Sequence, residues 1–129
     1  MVNVTVFLLR IVAGFLFLQH GGMKLFSWFG GIPGVTSWQE LPTLMLVAGI
    51  LEFFGGLAIL LGFLIRPIAF ILSGEMAVAY FTAHANQGYL YAPLVNQGEP
   101  AVLLSFIFLF FAAYGAGIWS ADAWLKNRT

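Results

Sequence analysis

The sequence predicts an all-α membrane protein, an antiparallel four-helix transmembrane bundle, and two observations carry that prediction. The 129 residues are 61% hydrophobic and only 8% charged, whereas a soluble domain has about 25% charged residues. The chain also contains four apolar stretches close to the roughly 20 residues that a spanning helix needs. We therefore expect the lipid bilayer as its main partner. The net charge of zero provides no electrostatic footprint for nucleic acid.

The predicted spans can be assigned along the chain. The sequence predicts a single domain, residues 1–129, with spans at about 4–20, 43–65, 67–84 and 100–118. Pro67 and Pro100 begin the third and fourth spans, where a first helical turn loses no backbone donor. After the fourth span, Ser120 is predicted to cap a short interfacial helix. The first span lacks a preceding basic region, so we expect a permanent span and not a cleaved signal.

The positive charges outside the spans predict an orientation. An even number of spans places both termini on one side, and that side would carry Arg66, Lys126 and Arg128. The other side would carry Lys24 and the two longer loops. Because lysine and arginine are enriched in cytoplasmic loops, we expect both termini to lie in the cytoplasm.

Three ionisable residues lie deep inside the predicted spans: Arg10, Glu52 and Glu75. Arg10 and Glu75 would lie roughly 10 and 12 Å from the cytoplasmic ends of their spans, and Glu52 roughly 13 Å from the outer end of its span. Because a charge in hydrocarbon is costly, such residues face the interior and pair. We expect Arg10 to neutralise one glutamate and the other to be protonated. The layer is interpreted either as a structural ion pair or as a proton or quinone site.

A second polar layer is predicted near the outer ends of the spans, formed by His20, Lys24, His84 and Glu99. Paired histidines can ligate haem iron, and with a glutamate they can hold a metal. However, no helix carries a metal-binding spacing such as HExxH, so no metal site is predicted. The simpler interpretation is that both histidines are interfacial side chains wetted by the loops. The layer remains a candidate ligand site.

Several short motifs, taken in order, carry a family resemblance. They are Leu9–Arg10, Phe17–Phe26, Trp28–Gly31, Glu52–Gly56, Gly62–Arg66, Met76–His84, Asn96–Glu99 and Gly115–Asp122. With this pattern the chain resembles the DoxX family of small four-span bacterial membrane proteins. The resemblance implies a four-helix bundle in the bacterial cell inner membrane. It also implies kinship with DoxD-type subunits of thiosulfate:quinone oxidoreductase.

Three functions are compatible with these observations. The first is a subunit of a quinone-linked membrane oxidoreductase complex, and whether the chain is itself an enzyme is left open. Because the chain has no cysteine, electrons would need a quinone, a haem (the less favoured cofactor) or a partner redox protein. The second is a non-catalytic membrane anchor or stabilising partner of another protein. The third is a small-molecule carrier, which ranks last because a water-filled path needs more polar residues. A homo-oligomer is compatible with each.

Overall fold

The computed structural model describes residues 1–128, apart from the side chain of Gln87, and it is 77% helical with no strand in that range. The helices are α1 (Val2–Phe26), α2 (Thr43–Leu61), α3 (Ile65–Ala79), α4 (Pro93–Asn96), α5 (Glu99–Tyr114) and α6 (Ala121–Lys126). Helix α3 continues through a π-helical turn at Tyr80–His84. The predicted all-α fold class is confirmed.

Within residues 1–128, three helices are long and apolar enough to cross a membrane: α1, α2, and α3 with its π-helical extension to His84. Helix α5 is also apolar, but its 16 residues span only about 24 Å. The hydrocarbon core of a bilayer is about 30 Å thick. The non-helical residues that follow α5 must therefore lie close to the membrane, and their backbone groups need partners.

Several helix ends differ from the ends of the predicted spans. Helix α1 extends to Phe26, past the predicted end at 20, so His20 and Lys24 lie within a helix. Helix α2 ends at Leu61, before the predicted 65, because Gly62 has a left-handed φ of 71°. Helix α5 ends at Tyr114, before the predicted 118, because Gly115 has a φ of 97°. Glycine reaches such angles without steric cost.

The chain forms two compact units. The first comprises Met1–Ile65 together with the residues from Ala116 to the end of the described chain, and the second comprises Arg66–Gly115. Spatial contacts therefore join the C-terminal segment to the N-terminal helices. We use the names unit 1 and unit 2 for them below.

Helices α1 and α2 of unit 1 are antiparallel and in close contact through glycines. A Cβ atom added to Gly14 would lie 2.6 Å from the backbone nitrogen of Leu60, and one added to Gly56 would lie 2.9 Å from the Cα of Leu18. Further along α1, Gly21 faces the backbone of Phe53. Small residues allow this approach in lipid, where close packing drives helix association.

Helices α3 and α5 of unit 2 are also antiparallel. Ser73 and Ser105 bond reciprocally: the Ser73 hydroxyl donates to the Ser105 carbonyl at 2.7 Å, and the Ser105 hydroxyl donates to the Ser73 carbonyl at 3.0 Å. At the end of α5, Arg66 donates to the carbonyls of Ala113 and Tyr114. A cation there satisfies carbonyls that a helix end leaves free.

Two short segments of unit 1 are fixed by local side-chain bonds. The Ser120 hydroxyl accepts from the Ala123 backbone nitrogen at 3.2 Å, so the predicted cap of α6 is confirmed. In the loop between α1 and α2, Thr36 donates to Glu40 from its backbone nitrogen and its hydroxyl, at 2.9 and 2.7 Å. These bonds hold the pKa of the Glu40 carboxyl below its usual value.

Candidate functional site

An ion pair between α1 and α2 is the first candidate site. The Lys24 ammonium lies 2.5 Å from the Glu52 carboxylate, and the two side chains are 14% and 6% exposed. Gly49 lies against the side chain of Lys24, so the backbones approach closely enough for the pair to form. The sequence analysis assigned Lys24 to the outer polar layer and Glu52 to the buried one, and the structure pairs the two residues. The reason is that α1 extends far enough to bring Lys24 into register with α2.

Aromatic side chains surround this end of unit 1. Phe53 follows Glu52 directly in α2, and its ring lies 5.0 Å from that of Phe26 and 5.8 Å from that of Trp28. The Trp28 ring is in contact with Gly22, which has no side chain to displace it. We name Phe26, Trp28 and Phe53 the aromatic cluster. The aromatic cluster and the ion pair thus come from the same parts of the chain, and little water reaches the pair, whose side chains are 14% and 6% exposed.

Arg10 has a different role from the predicted one. It is 1% exposed and donates to the carbonyls of Ala116 at 2.6 Å, Ile118 at 3.3 Å and Trp119 at 2.7 Å. We expected Arg10 to neutralise one of the two buried glutamates, but Glu52 is bound by Lys24. The reason for the different role of Arg10 is the early end of α5. Non-helical backbone at membrane depth is tolerated only when its polar groups have partners, and Arg10 supplies them.

Asp122 binds the chain between α2 and α3 in unit 1. The sequence did not predict a role for it. Its carboxylate accepts from the backbone nitrogens of Leu64 at 2.8 Å and Ile65 at 3.0 Å, where α3 begins. Its own backbone nitrogen donates to the Gly62 carbonyl at 2.9 Å. Its position, two residues after the predicted cap Ser120, was the only feature of the sequence that indicated a role for this carboxylate.

Replacing Asp122 by alanine should destabilise the protein by about 1 kcal/mol, and by up to about 2 kcal/mol, because the first amides of α3 lose their acceptor. Thermal unfolding of the purified protein in detergent would measure this loss. Asp122→Asn keeps one acceptor oxygen and is the matched control, with an expected intermediate melting temperature. Equal melting of Asp122→Ala and the parent protein would contradict the capping role.

The other predicted residues are distributed between the units. His20 is exposed on α1, and Glu99 is exposed at the start of α5, where the helix dipole favours an acid. The carboxylate oxygens of Glu75 are buried. His84 places Nδ1 3.2 Å from the Asn96 carbonyl. Unit 1 thus contains Arg10, His20, Lys24 and Glu52, and unit 2 contains Glu75, His84 and Glu99.

Among these predicted site residues, Lys24 and Glu52 are joined by an ion pair. Within residues 1–128, no group of three His, Cys, Asp or Glu side chains is arranged to hold a metal ion. The inclusion of Glu75 in one polar layer with Arg10 stays a prediction. So does the outer layer of His20, His84 and Glu99.

Comparison with known proteins agrees with this fold. The DoxX family model matches residues 5–85. An uncharacterized protein of Haemophilus influenzae is 42% identical over 115 residues, covering 88% of this chain and 85% of that protein. Inner membrane protein YqjF of Escherichia coli strain K12 is 33% identical over 136 residues, covering 98% of this chain and 95% of that protein. No solved structure matches.

The apolar helices and these relatives define a helical bacterial membrane protein. More particularly, the chain belongs to the DoxX family, and the resemblance based on its motifs is confirmed. The matched segment includes both members of the Lys24–Glu52 pair.

Proposed function

We propose that the protein is a subunit of a quinone-linked membrane oxidoreductase complex, and that the Lys24–Glu52 pair is where it binds the quinone. The observation that carries the proposal is the nearly buried ion pair, together with an aromatic cluster whose members are close to the pair in sequence. A quinone ring is flat and apolar, and its carbonyl oxygens accept hydrogen bonds. The cluster would supply ring contacts, and the Lys24 ammonium would supply a donor.

The reduction of a quinone to a quinol takes up two electrons and two protons. In this proposal a partner redox protein delivers the electrons, because the chain has no cysteine for a dithiol relay. Lys24 would donate a hydrogen bond to one quinone oxygen. Glu52 would accept and pass on protons, as intramembrane carboxylates do in proton relays. Both termini would face the cytoplasm, because Arg66, Lys126 and Arg128 would then lie on that side.

Binding of a photoreactive quinone to the protein in lipid nanodiscs would test the proposal. We expect cross-links to peptides of the aromatic cluster, mapped by mass spectrometry. The double variant Lys24→Met/Glu52→Gln should weaken quinone binding by about tenfold or more, because it removes a charge-assisted donor that is worth about 1.5–3 kcal/mol. The double variant leaves no unpaired charge, so its folding is less affected than that of either single variant.

Lys126→Met is the matched control, since Lys126 is an exposed lysine of α6 outside the proposed site. It should bind quinone as tightly as the parent protein. A double variant that is folded, by its thermal unfolding, and binds quinone with unchanged affinity would refute the site. Purification from native membrane with a visible spectrum would show in addition whether haem accompanies the chain.

A non-catalytic anchor or stabilising partner is the second candidate, and the bonding of the arginines favours it. Arg10 and Arg66 both donate to backbone carbonyls, which is a structural use of charge. Capture of partners from native membrane in mild detergent would discriminate between the two functions. A stoichiometric partner that the Lys24→Met/Glu52→Gln variant retains, without quinone binding by the parent protein, would favour the anchor.

A further inference from the structure

The segment between α3 and α5 exposes an unusual set of apolar side chains. We name residues 89–95 the apolar loop. Tyr91 is 94% exposed, Leu94 78%, Tyr89 71% and Val95 56%. No charged residue occurs from Ala85 to Gly98, whereas a loop in water is rich in polar and charged residues. Exposure of this kind and extent marks a surface that binds something apolar.

The apolar loop is held in place by a buried polar hub. Asn96 is 8% exposed, and its amide donates to the Tyr80 hydroxyl and to the Tyr89 carbonyl, each at 3.1 Å. Its side-chain oxygen accepts from the Gly98 backbone nitrogen at 2.8 Å. The Tyr80 hydroxyl donates in turn to the Leu90 carbonyl at 2.6 Å. Hydrogen bonds from the buried side chains of Tyr80 and Asn96 therefore fix the backbone of the loop, and the apolar side chains of the loop are exposed.

The position of the loop in the chain identifies what covers it. The α3 span and its π-helical extension end at His84, and α5 begins at Glu99, so the loop connects the ends of two apolar helices of unit 2. The outward side chains of those helices, such as Phe81 at 61% exposure and Leu103 at 63%, form an exposed apolar surface of the kind that lipid covers on a membrane-spanning helix. The loop continues the same apolar character beyond the helix end. Tyrosine is enriched at membrane–water interfaces, where the ends of such helices lie.

We propose that the apolar loop inserts into the boundary between headgroups and acyl chains, on the side of the membrane where α3 ends. Its binding partner is the lipid interface. Tyr91 and Leu94 enter the bilayer, while the Asn96 hub keeps the loop backbone hydrogen-bonded as it approaches hydrocarbon, where unsatisfied polar groups are costly. The loop thereby anchors this end of unit 2.

Single cysteines allow a direct test, because the chain contains none of its own. Tyr91→Cys and Leu94→Cys, labelled with the fluorophore NBD, are reconstituted into phosphatidylcholine vesicles containing doxyl-labelled lipids. We expect blue-shifted emission, strong quenching by doxyl groups near the headgroup, weaker quenching by doxyl groups near the bilayer centre, and little quenching by aqueous iodide. Phe106→Cys on α5, 66% exposed, is the acyl-chain reference, and NBD-labelled free cysteine in buffer is the aqueous reference.

Emission and iodide quenching equal to those of the aqueous reference, with no doxyl quenching, would overturn the proposal. Blue-shifted emission that depends on protein density and not on doxyl lipid would also overturn it, because a second copy would then cover the loop. Both side chains point outward, so the substitutions remove no described contact. Unchanged thermal unfolding of the labelled variants confirms that the fold is intact.

Discussion

Arg10→Leu is expected to lower the free energy of unfolding by about 3 kcal/mol, since it removes the donors to three carbonyls that are then left in an apolar environment. Those carbonyls belong to Ala116, Ile118 and Trp119, in the non-helical segment after α5. Leucine has no hydrogen-bond donor, and water does not reach a site where the arginine itself is 1% exposed. Yield from the membrane and thermal unfolding in detergent would measure the loss.

Arg66→Leu is the matched control for this experiment. Arg66 also donates to backbone carbonyls, those of Ala113 and Tyr114 among them, but it is exposed. Water and lipid headgroups can replace an exposed donor, so we expect a much smaller loss. Similar melting temperatures for the two variants would show that the burial of the arginine does not determine how much stability its replacement removes. An Arg10→Leu protein as stable as its parent would exclude the structural role of Arg10.

Gly56→Val should strongly destabilise the contact between α1 and α2. A Cβ atom at Gly56 would lie 2.5 Å from the backbone nitrogen of Leu18 and 3.0 Å from the carbonyl of Gly14. Backbone atoms cannot rotate away as side chains do, so the helices must separate. Overpacking of this kind costs about 1–3 kcal/mol, and separation also stretches the Lys24–Glu52 pair. We expect lower thermal stability together with weaker quinone cross-linking.

Gly74→Val tests whether the effect comes from the contact or from valine itself. Gly74 is an exposed glycine in α3, and a Cβ atom there has no neighbour within 4 Å. Valine has a higher helix propensity than glycine, so this variant should be as stable as the parent protein or more stable. If Gly56→Val and Gly74→Val unfold at the same temperature, the glycine contact is not required for stability.

Much of the fold could be predicted because the membrane restricts the choices. Apolar stretches at the length of a span identify the helices, and Ser120 marks the start of α6. The helix ends were less predictable. Gly115 and Gly62 end helices through their left-handed angles, yet many other glycines lie inside helices, and sequence alone does not distinguish the two uses.

The residue types did not predict the hydrogen-bond partners of the buried charged side chains. Arg10 binds backbone carbonyls, which every residue possesses, so no side chain marks its partners. For Lys24 a usable signal existed. Gly14 and Gly21 have the same separation in α1 as Gly49 and Gly56 in α2. Pairing these glycines in antiparallel order would have set the register of the two helices and brought Lys24 near Glu52.

The bonding of Arg10 to the segment after α5 also has a consequence for biosynthesis. Arg10 leaves the ribosome more than a hundred residues before Ala116 and Trp119 do. At about 5–20 residues per second, the interval is roughly 5–20 s. During that time the nascent chain holds a cation without its final acceptors. The insertion machinery, or water and headgroups at the bilayer surface, must shelter Arg10 until the segment from Ala116 to Trp119 has been synthesised.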